Sequence, residues 1–315
     1  MSTSVLRTTD DWYVELPGTG RAVRIDTAAR TTADLLADRA AIDAAAAGDG
    51  DADVAVAELE LASPVTAPCR VVAQMVNYKS HARESGFDPD QVPPTFFRKA
   101  SHSVTGPNSA VVRPEHVRLL DYEVELGLVL GASLPVGTEV TEADLPRYVA
   151  GLVVTDDVSA RDVQLPKGQF YEAKSYPTFT PVGPRLVLLD AADFARLGRL
   201  RLRLEVNGVV RQDRTTADMI VEPARALGLL ARFQPLDPGD LVLTGTPGGT
   251  ALQAPAKVLE VIGGLLPPAK KWKAFVDRQA ANPAYLRHGD VITASIATDD
   301  GALDLGTQRT TVEHR

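Results

Sequence analysis

The sequence predicts an α+β protein: a β-rich folded sheet or barrel behind a small α+β domain. Three observations predict it. Short apolar runs recur between Gly/Pro turns from about residue 64 onward, few helical patterns separate them, and the first 65 residues have a different, alanine-rich texture. A doubly wound parallel sheet needs a helix between successive strands, and that rhythm is missing.

Residues 11–26 read as two short strands around a Gly-rich turn, with Trp12, Val14 and Leu16 alternating. Thr31 to Ala47 carries apolar residues three and four apart, an amphipathic helix opened by Thr31 or Thr32. The small, acidic stretch Gly48–Asp53 is a connection. This opening domain, 1–65, contains no cluster of catalytic residue types. In the larger domain, 66–315, strands are expected at 71–76, 111–113, 122–130, 148–154, 185–189, 200–206, 240–244 and 291–296, and helices at 219–233 and 254–281.

Composition narrows the function. The 315 residues are 44% hydrophobic and 23% charged, enough to bury a substantial core. A net charge of −8 disfavours nucleic acid as a partner, because neutralising phosphates requires a basic face. No apolar run approaches 18 residues, so no membrane span is expected. The opening MSTSVLRTTDDWYVEL lacks the pattern of a secretory signal, and the cytoplasm is the expected compartment. The single cysteine, Cys69, excludes an intramolecular disulfide and a multi-cysteine metal site.

Four segments carry chemistry. In DYEVELGLVLG (121–131), strand alternation projects Glu123 and Glu125 from one face. Adjacent carboxylates repel unless compensated, and a hard divalent cation compensates them; a solvated acidic face would do so equally. In GLVVTDDVSARDVQ (151–164) an apolar strand runs into Asp156 and Asp157, and alternation does not decide which faces inward. In VNYKSHARESG (76–86) His81 and Glu84 share one face of a helical turn. A carboxylate beside an imidazole orients it for general-base work, although such pairs are commonly surface pairs. In LVLTGTPGGT (241–250) a strand enters a tight turn exposing N–H groups and hydroxyls to an oxyanion, or turns and nothing more; no Gly-Lys-Ser/Thr follows to make it a phosphate loop.

In this order the segments resemble the fumarylacetoacetate hydrolase superfamily. The likeness runs through NYKSHARESG, PTFFRKASHSVTGPNSAVVRP, DYEVELGLVLG, TDDVSARDVQ, AKSYPTFTPVGP, VNGVVRQDRTTADMI, GDLVLTGTPGG and HGDVITASI, most of residues 66–296. It implies a mixed β-roll catalytic domain and a homodimer. It implies Glu123, Glu125 and Asp157 as ligands of Mg²⁺, with Mn²⁺ or Ca²⁺ as substitutes, leaving positions for two oxygens of a dicarbonyl or 2-oxo acid. His81 and Glu84 match a water-activating dyad on a mobile lid, continued by the breaker-rich 86–94. Lys174 matches a lysine that stabilises developing negative charge. Tyr78, Arg161, Gln164 and Thr246 fall on positions expected near substrate, with Lys99 a further contributor. Where longer members carry an additional acidic ligand, this chain has Asn77. It also inserts about forty residues, 250–287, with helical spacing at Val258, Ile262, Leu265, Trp272, Phe275 and Val276 and a basic cluster at Lys270, Lys271 and Lys273. In an acidic chain this is expected to pack as a helical hairpin on its own subunit or on the dimer partner, an amphipathic membrane or partner helix being the alternative.

The expected activity is hydrolysis of a C–C bond in an acylpyruvate or related 1,3-dicarbonyl acid through its enolate. The alternatives are decarboxylation or tautomerisation of an oxaloacetate-like 2-oxo acid on the same scaffold, and a non-catalytic ligand-binding homologue.

Overall fold

A computed structural model describes residues 2–48, 53–252 and 267–315. Its centre is a ten-stranded mixed sheet in the order Asp53–Ala55, Arg21–Arg24, Trp12–Leu16, Thr3–Arg7, Leu186–Leu188, Val149–Asp156, Val124–Leu130, Leu241–Leu243, Val71–Met75, Thr95–Lys99. The two outermost strands are not paired to each other, so the sheet is open. A five-stranded sheet (Val209–Thr215, Leu200–Val206, Val291–Thr298, Asp304–His314, Val111–Arg113) packs against it.

Alternation sorts the central strands. Leu126 and Leu128 join Leu152, Val154, Leu202, Leu204, Ile292 and Ile296 in the larger core, between the two sheets. Val129 and Val153 face the other way, into a second core with Val5, Val14, Leu35 and Ile42. Gly127 lies on this second face, where a Cβ would fall 2.6 Å from Val153. Glu125, two residues before Gly127, lies on the same face at the strand's beginning.

The opening segment is built into this frame. Thr3–Arg7 pairs antiparallel with Leu186–Leu188, so its strands continue the main sheet. The helix expected over 31–47 is two, Thr32–Ala37 and Arg39–Ala46, broken at Asp38, whose ψ of 54° is not helical. Thr31 caps the first through a capping box with Asp34. The helix expected from Met219 begins only at Pro223, and Glu222 is extended, as a residue before proline must be. Of the insertion, Pro268–Gln279 is helical, and Phe275 and Val276 pack on the larger core. Val258, Ile262 and Leu265 lie outside the described residues. Among the described residues no helix is long and apolar enough to cross a membrane.

Candidate metal centre and active site

The ligand geometry follows from one strand pairing. Val124 stands opposite Asp156 in the antiparallel pair, so the chains run past their last ladder partners at Glu123 and Asp157. The Asp157 N–H donates to the Glu123 carbonyl at 2.8 Å, which continues the pairing one step and turns Asp157 toward the glutamates. Carboxylate oxygens of Glu123, Glu125 and Asp157 lie within 4.8 Å of one another, and all three residues are buried. Asp156 is not part of this group: its Oδ1 accepts the Glu123 N–H at 2.8 Å. Burial pushes its carboxyl up to about 7, and its Oδ2 has no partner among the described residues.

Cations surround the three carboxylates. Lys174 Nζ donates to Glu123 Oε2 and Asp157 Oδ2, each at 2.6 Å. Lys99 Nζ donates to the other Asp157 oxygen and, at 2.8 Å, to the Phe179 carbonyl. Arg161 bridges Asp121 (2.8 Å), Gln164 Oε1 (2.9 Å) and Glu123. Burial alone would lower the Lys174 ammonium, but Asp157 and Glu123 outweigh it and hold it above its ordinary value. Burial likewise opposes Glu123, yet Arg161 and Lys174 keep its carboxyl well below the usual range.

Glu125 differs. Among the described residues its carboxylate has one hydrogen bond, from the Gly245 N–H at 2.6 Å. Burial, then the charges of Asp157 and Glu123, push its carboxyl well above the usual range. Five buried carboxyls (Asp121, Glu123, Glu125, Asp156, Asp157) thus face three buried cations (Lys99, Arg161, Lys174). Fully ionised, the cluster carries two surplus negative charges in a medium that penalises each. A divalent cation removes that surplus, and an all-carboxylate donor set suits a hard one. The residues present fit a divalent ion.

Above this nest lies the short helix Lys79–Glu84. It follows Val76, held at φ 53°, an uncommon setting for a β-branched residue. Asn77 then ties the corner down, its side chain bonding Val221 N and O and Thr244 O. Tyr78 is wholly buried in the larger core, its hydroxyl unpartnered among the described residues. His81 has a buried Nδ1 without a partner among the described residues, and burial holds its imidazole below the ordinary value of 6.5. Glu84 does not bond His81; its Oε2 accepts the Gly249 N–H at 2.7 Å. Ser80 adds a second hook, donating to Asp218 at 2.5 Å and accepting the Gly248 N–H at 3.0 Å.

The turn after Leu241–Leu243 needs its glycines. Gly245 has φ +88°, and a Cβ there would come within 2.7 Å of the Asn77 Cβ. At Gly248 a Cβ would sit 2.5 Å from Glu84 Oε1. Thr246 is buried, its hydroxyl donating to Val124 O at 3.0 Å and accepting from Gln212 at 2.8 Å.

With this geometry in hand, comparison with known proteins is decisive at the family level. The fumarylacetoacetate (FAA) hydrolase C-terminal model matches residues 70–313. The chain belongs to the fumarylacetoacetate hydrolase family. The Rattus norvegicus protein named oxaloacetate tautomerase Fahd2a, mitochondrial, is 36% identical over 193 residues, 60% of this chain and 59% of that protein. A Dictyostelium discoideum fumarylacetoacetate hydrolase domain-containing protein 2 homolog is 32% identical over 239 residues, 73% of this chain and 68% of that protein. A solved structure from Mycobacterium abscessus, "a probable 2-hydroxyhepta-2,4-diene-1,7-dioate isomerase", superposes with a TM-score of 0.75 at 28% identity, covering 100% of this chain and 99% of that one. The chain therefore spans about 60% of the length of the rat relative it matches.

Within this family frame, the structure brings Glu123, Glu125, Asp157, Lys174, Lys99, Arg161 and Gln164 into one cluster. Arg161 and Gln164 meet because they are three apart on the helix Arg161–Lys167. His81 stands over the cluster, close enough that Glu123 and Arg161 act on its charge. Four residues that pattern reading passes over or leaves undecided frame the site. Asp121 takes Arg161 and the N–H groups of Tyr122, Ala251 and Leu252. Asp156 holds Glu123, Asn77 the corner, and Gln212 the turn. Asp121 and Asp156 carried local signals, Asp121 by sharing the strand face of the two glutamates and Asp156 by its place at a strand's end.

Proposed function

We propose that this is a divalent-metal-dependent enzyme catalysing keto–enol tautomerisation of an oxaloacetate-like 2-oxo acid. The observation that carries the reading is the separation of His81 from Glu84. Hydrolysis must deprotonate a water, the task for which an imidazole–carboxylate pair is suited. Here the carboxylate is engaged by Gly249, while the imidazole Nδ1 is unpartnered among the described residues. Tautomerisation only moves a proton between carbon and oxygen, and a single neutral imidazole can do that. The name of the rat relative supports the same class.

Glu123, Glu125 and Asp157 would hold the ion, Mg²⁺ in this reading with Mn²⁺ or Ca²⁺ as substitutes, and when bound it supplies Lewis-acid polarisation of the 2-oxo acid oxygens. Lys174, kept cationic, adds a fixed positive charge beside them. Gln164 has its oxygen taken by Arg161, and its amide N–H groups would meet a substrate carboxylate. His81 accepts and returns the proton. Lys99 and Arg161 hold Asp157 and Glu123 in place, and the working unit is a homodimer.

Hydrolysis of an acylpyruvate is the second reading, favoured by the placement of His81 and Glu84 on one six-residue helix. The test is incubation of enolic oxaloacetate, and separately of an acylpyruvate, with the Mg²⁺-loaded protein. Tautomerase activity appears as accelerated loss of enol absorbance with no new carboxylate and no CO₂. A heavy oxygen from H₂¹⁸O in a newly formed carboxylate establishes the hydrolase instead, and CO₂ release the decarboxylase. Turnover of neither substrate by the ion-bound protein leaves the binding homologue.

A further inference from the structure

The strand bearing the two glutamates loses its neighbour early. Leu241–Leu243 pairs with it only from Gly127 to Val129, and Thr244 extends the contact one step by donating to Leu126 O. At Gly245 the neighbouring chain turns away, its φ of +88° taking it out of the sheet. Val124 N–H and C=O, which point to that side, have no backbone partner there, and buried backbone groups must be satisfied.

Two side chains stand in for the missing strand. Gln212 Oε1 accepts the Val124 N–H at 3.0 Å, and Thr246 Oγ1 donates to the Val124 carbonyl at 3.0 Å. Gln212 Nε2 closes the ring by donating to Thr246 Oγ1 at 2.8 Å and spends its other hydrogen on Pro247 O at 2.8 Å. The orientation of the amide follows from the network, since the Val124 N–H requires an acceptor. Both residues are buried. The Val124 N–H belongs to the peptide joining it to Glu123, and its C=O to the peptide joining it to Glu125. The ring therefore grips both peptide planes that connect two of the three carboxylates.

We infer that Gln212 and Thr246 are positioning residues that set the spacing of the Glu123 and Glu125 carboxylates for a divalent cation. The inference rests on the metal reading above, and it gives Thr246 a role other than substrate contact. Residues that orient ligands in this way change metal affinity about 10–100-fold when altered. A ring also couples its members, so their effects should not add.

The experiment is Mn²⁺ titration of the full chain by calorimetry, with no substrate present. Thr246→Val and Gln212→Leu should each raise the Mn²⁺ Kd at least about tenfold, the double variant scarcely more than either, while Thr246→Ser, which keeps the hydroxyl, stays within about twofold. Melting curves of the metal-free proteins identify any variant that fails to fold, in which case the other single variant decides. Thr246→Val with unchanged Mn²⁺ Kd and a raised KM for the 2-oxo acid overturns the inference and returns Thr246 to substrate binding. A wild-type protein that binds no Mn²⁺ removes the metal reading and the ring's role with it. Wild-type binding with unaltered variants removes the ring's role alone.

Discussion

The carboxylate nest and the His81 helix lie side by side, and they are built differently. Two of the nest's three carboxylates are anchored from several directions, Asp157 by Lys99 and Lys174 and Glu123 by Arg161 and Lys174, with backbone bonds fixing the strand ends beneath them, while Glu125 takes the Gly245 N–H. The helix Lys79–Glu84 has six residues, no side-chain N-cap and an exposed Glu84. Its polar hooks are Ser80 to Asp218 and Gly248, and Glu84 to Gly249. Fixed dipoles and charges are useful where charge develops, because they need not reorganise during reaction. A group that must admit substrate is better held by a few exchangeable bonds. In the proposed reading, the nest supplies the electrostatics and the His81 helix moves the proton.

The contrast breaks most severely at Asp157. Asp157→Asn leaves two buried ammonium groups short of their shared counter-charge, and disrupting such a buried network costs about 3–5 kcal/mol. Urea unfolding should register that loss, and calorimetry the disappearance of Mn²⁺ binding. Chelation of the wild type should abolish turnover reversibly, with re-added Mg²⁺ restoring it.

On the helix, His81→Ala should lower turnover of the 2-oxo acid by about 10²–10⁴-fold, the range for a positioned proton-transfer group. Its Mn²⁺ Kd and melting temperature should match the wild type. An altered Kd would mean that the helix and the nest are not separable. Glu84→Ala sharpens the distinction between the two readings of the reaction. As a hook to the Gly249 N–H its loss should slow turnover by less than about tenfold, roughly one hydrogen bond's worth. A loss equal to that of His81→Ala makes the two a working pair and favours hydrolysis.

The smallest effect expected is in pH. Burial lowers the His81 value, so folding favours the neutral ring. Turnover should be flat near pH 7 and fall only below 6.5, where the imidazole becomes protonated. The same shift removes stability as pH falls through the unfolded imidazole value and contributes nothing to its slope well above it. A pH–rate profile whose acid limb vanishes in His81→Ala assigns it; a limb that persists belongs to another group.

Much of this was legible in the chain, unevenly. Period-two alternation in DYEVELG placed Glu123 and Glu125 together because side-chain direction in a strand is a local property. The glycines of LTGTPGG announced a turn, since φ at Gly245 excludes most other residues. Lys174, Arg161 and Gln164 had no periodic signal, and only the likeness to a known family pointed to them. Gln212 had none either: within a strand of the second sheet it reads as one more polar residue.

By itself, the sequence determined the α+β class, the same-face glutamates, the tight turn and the shared face of His81 and Glu84. These depend on spacing along a few residues. Tertiary structure decided that Asp157 joins the glutamates while Asp156 holds their backbone, because the phase at a strand's end depends on where its partner stops. It decided that Glu84 turns to Gly249 and not to His81, since helical spacing fixes a face but the nearest unsatisfied donor fixes a rotamer. It also carried the opening strands into the main sheet and set Gln212 against Val124, 88 residues away in the chain. No window of local sequence contains that pairing, because hydrogen bonds left open where a neighbouring strand ends are closed by whatever the fold brings beside them.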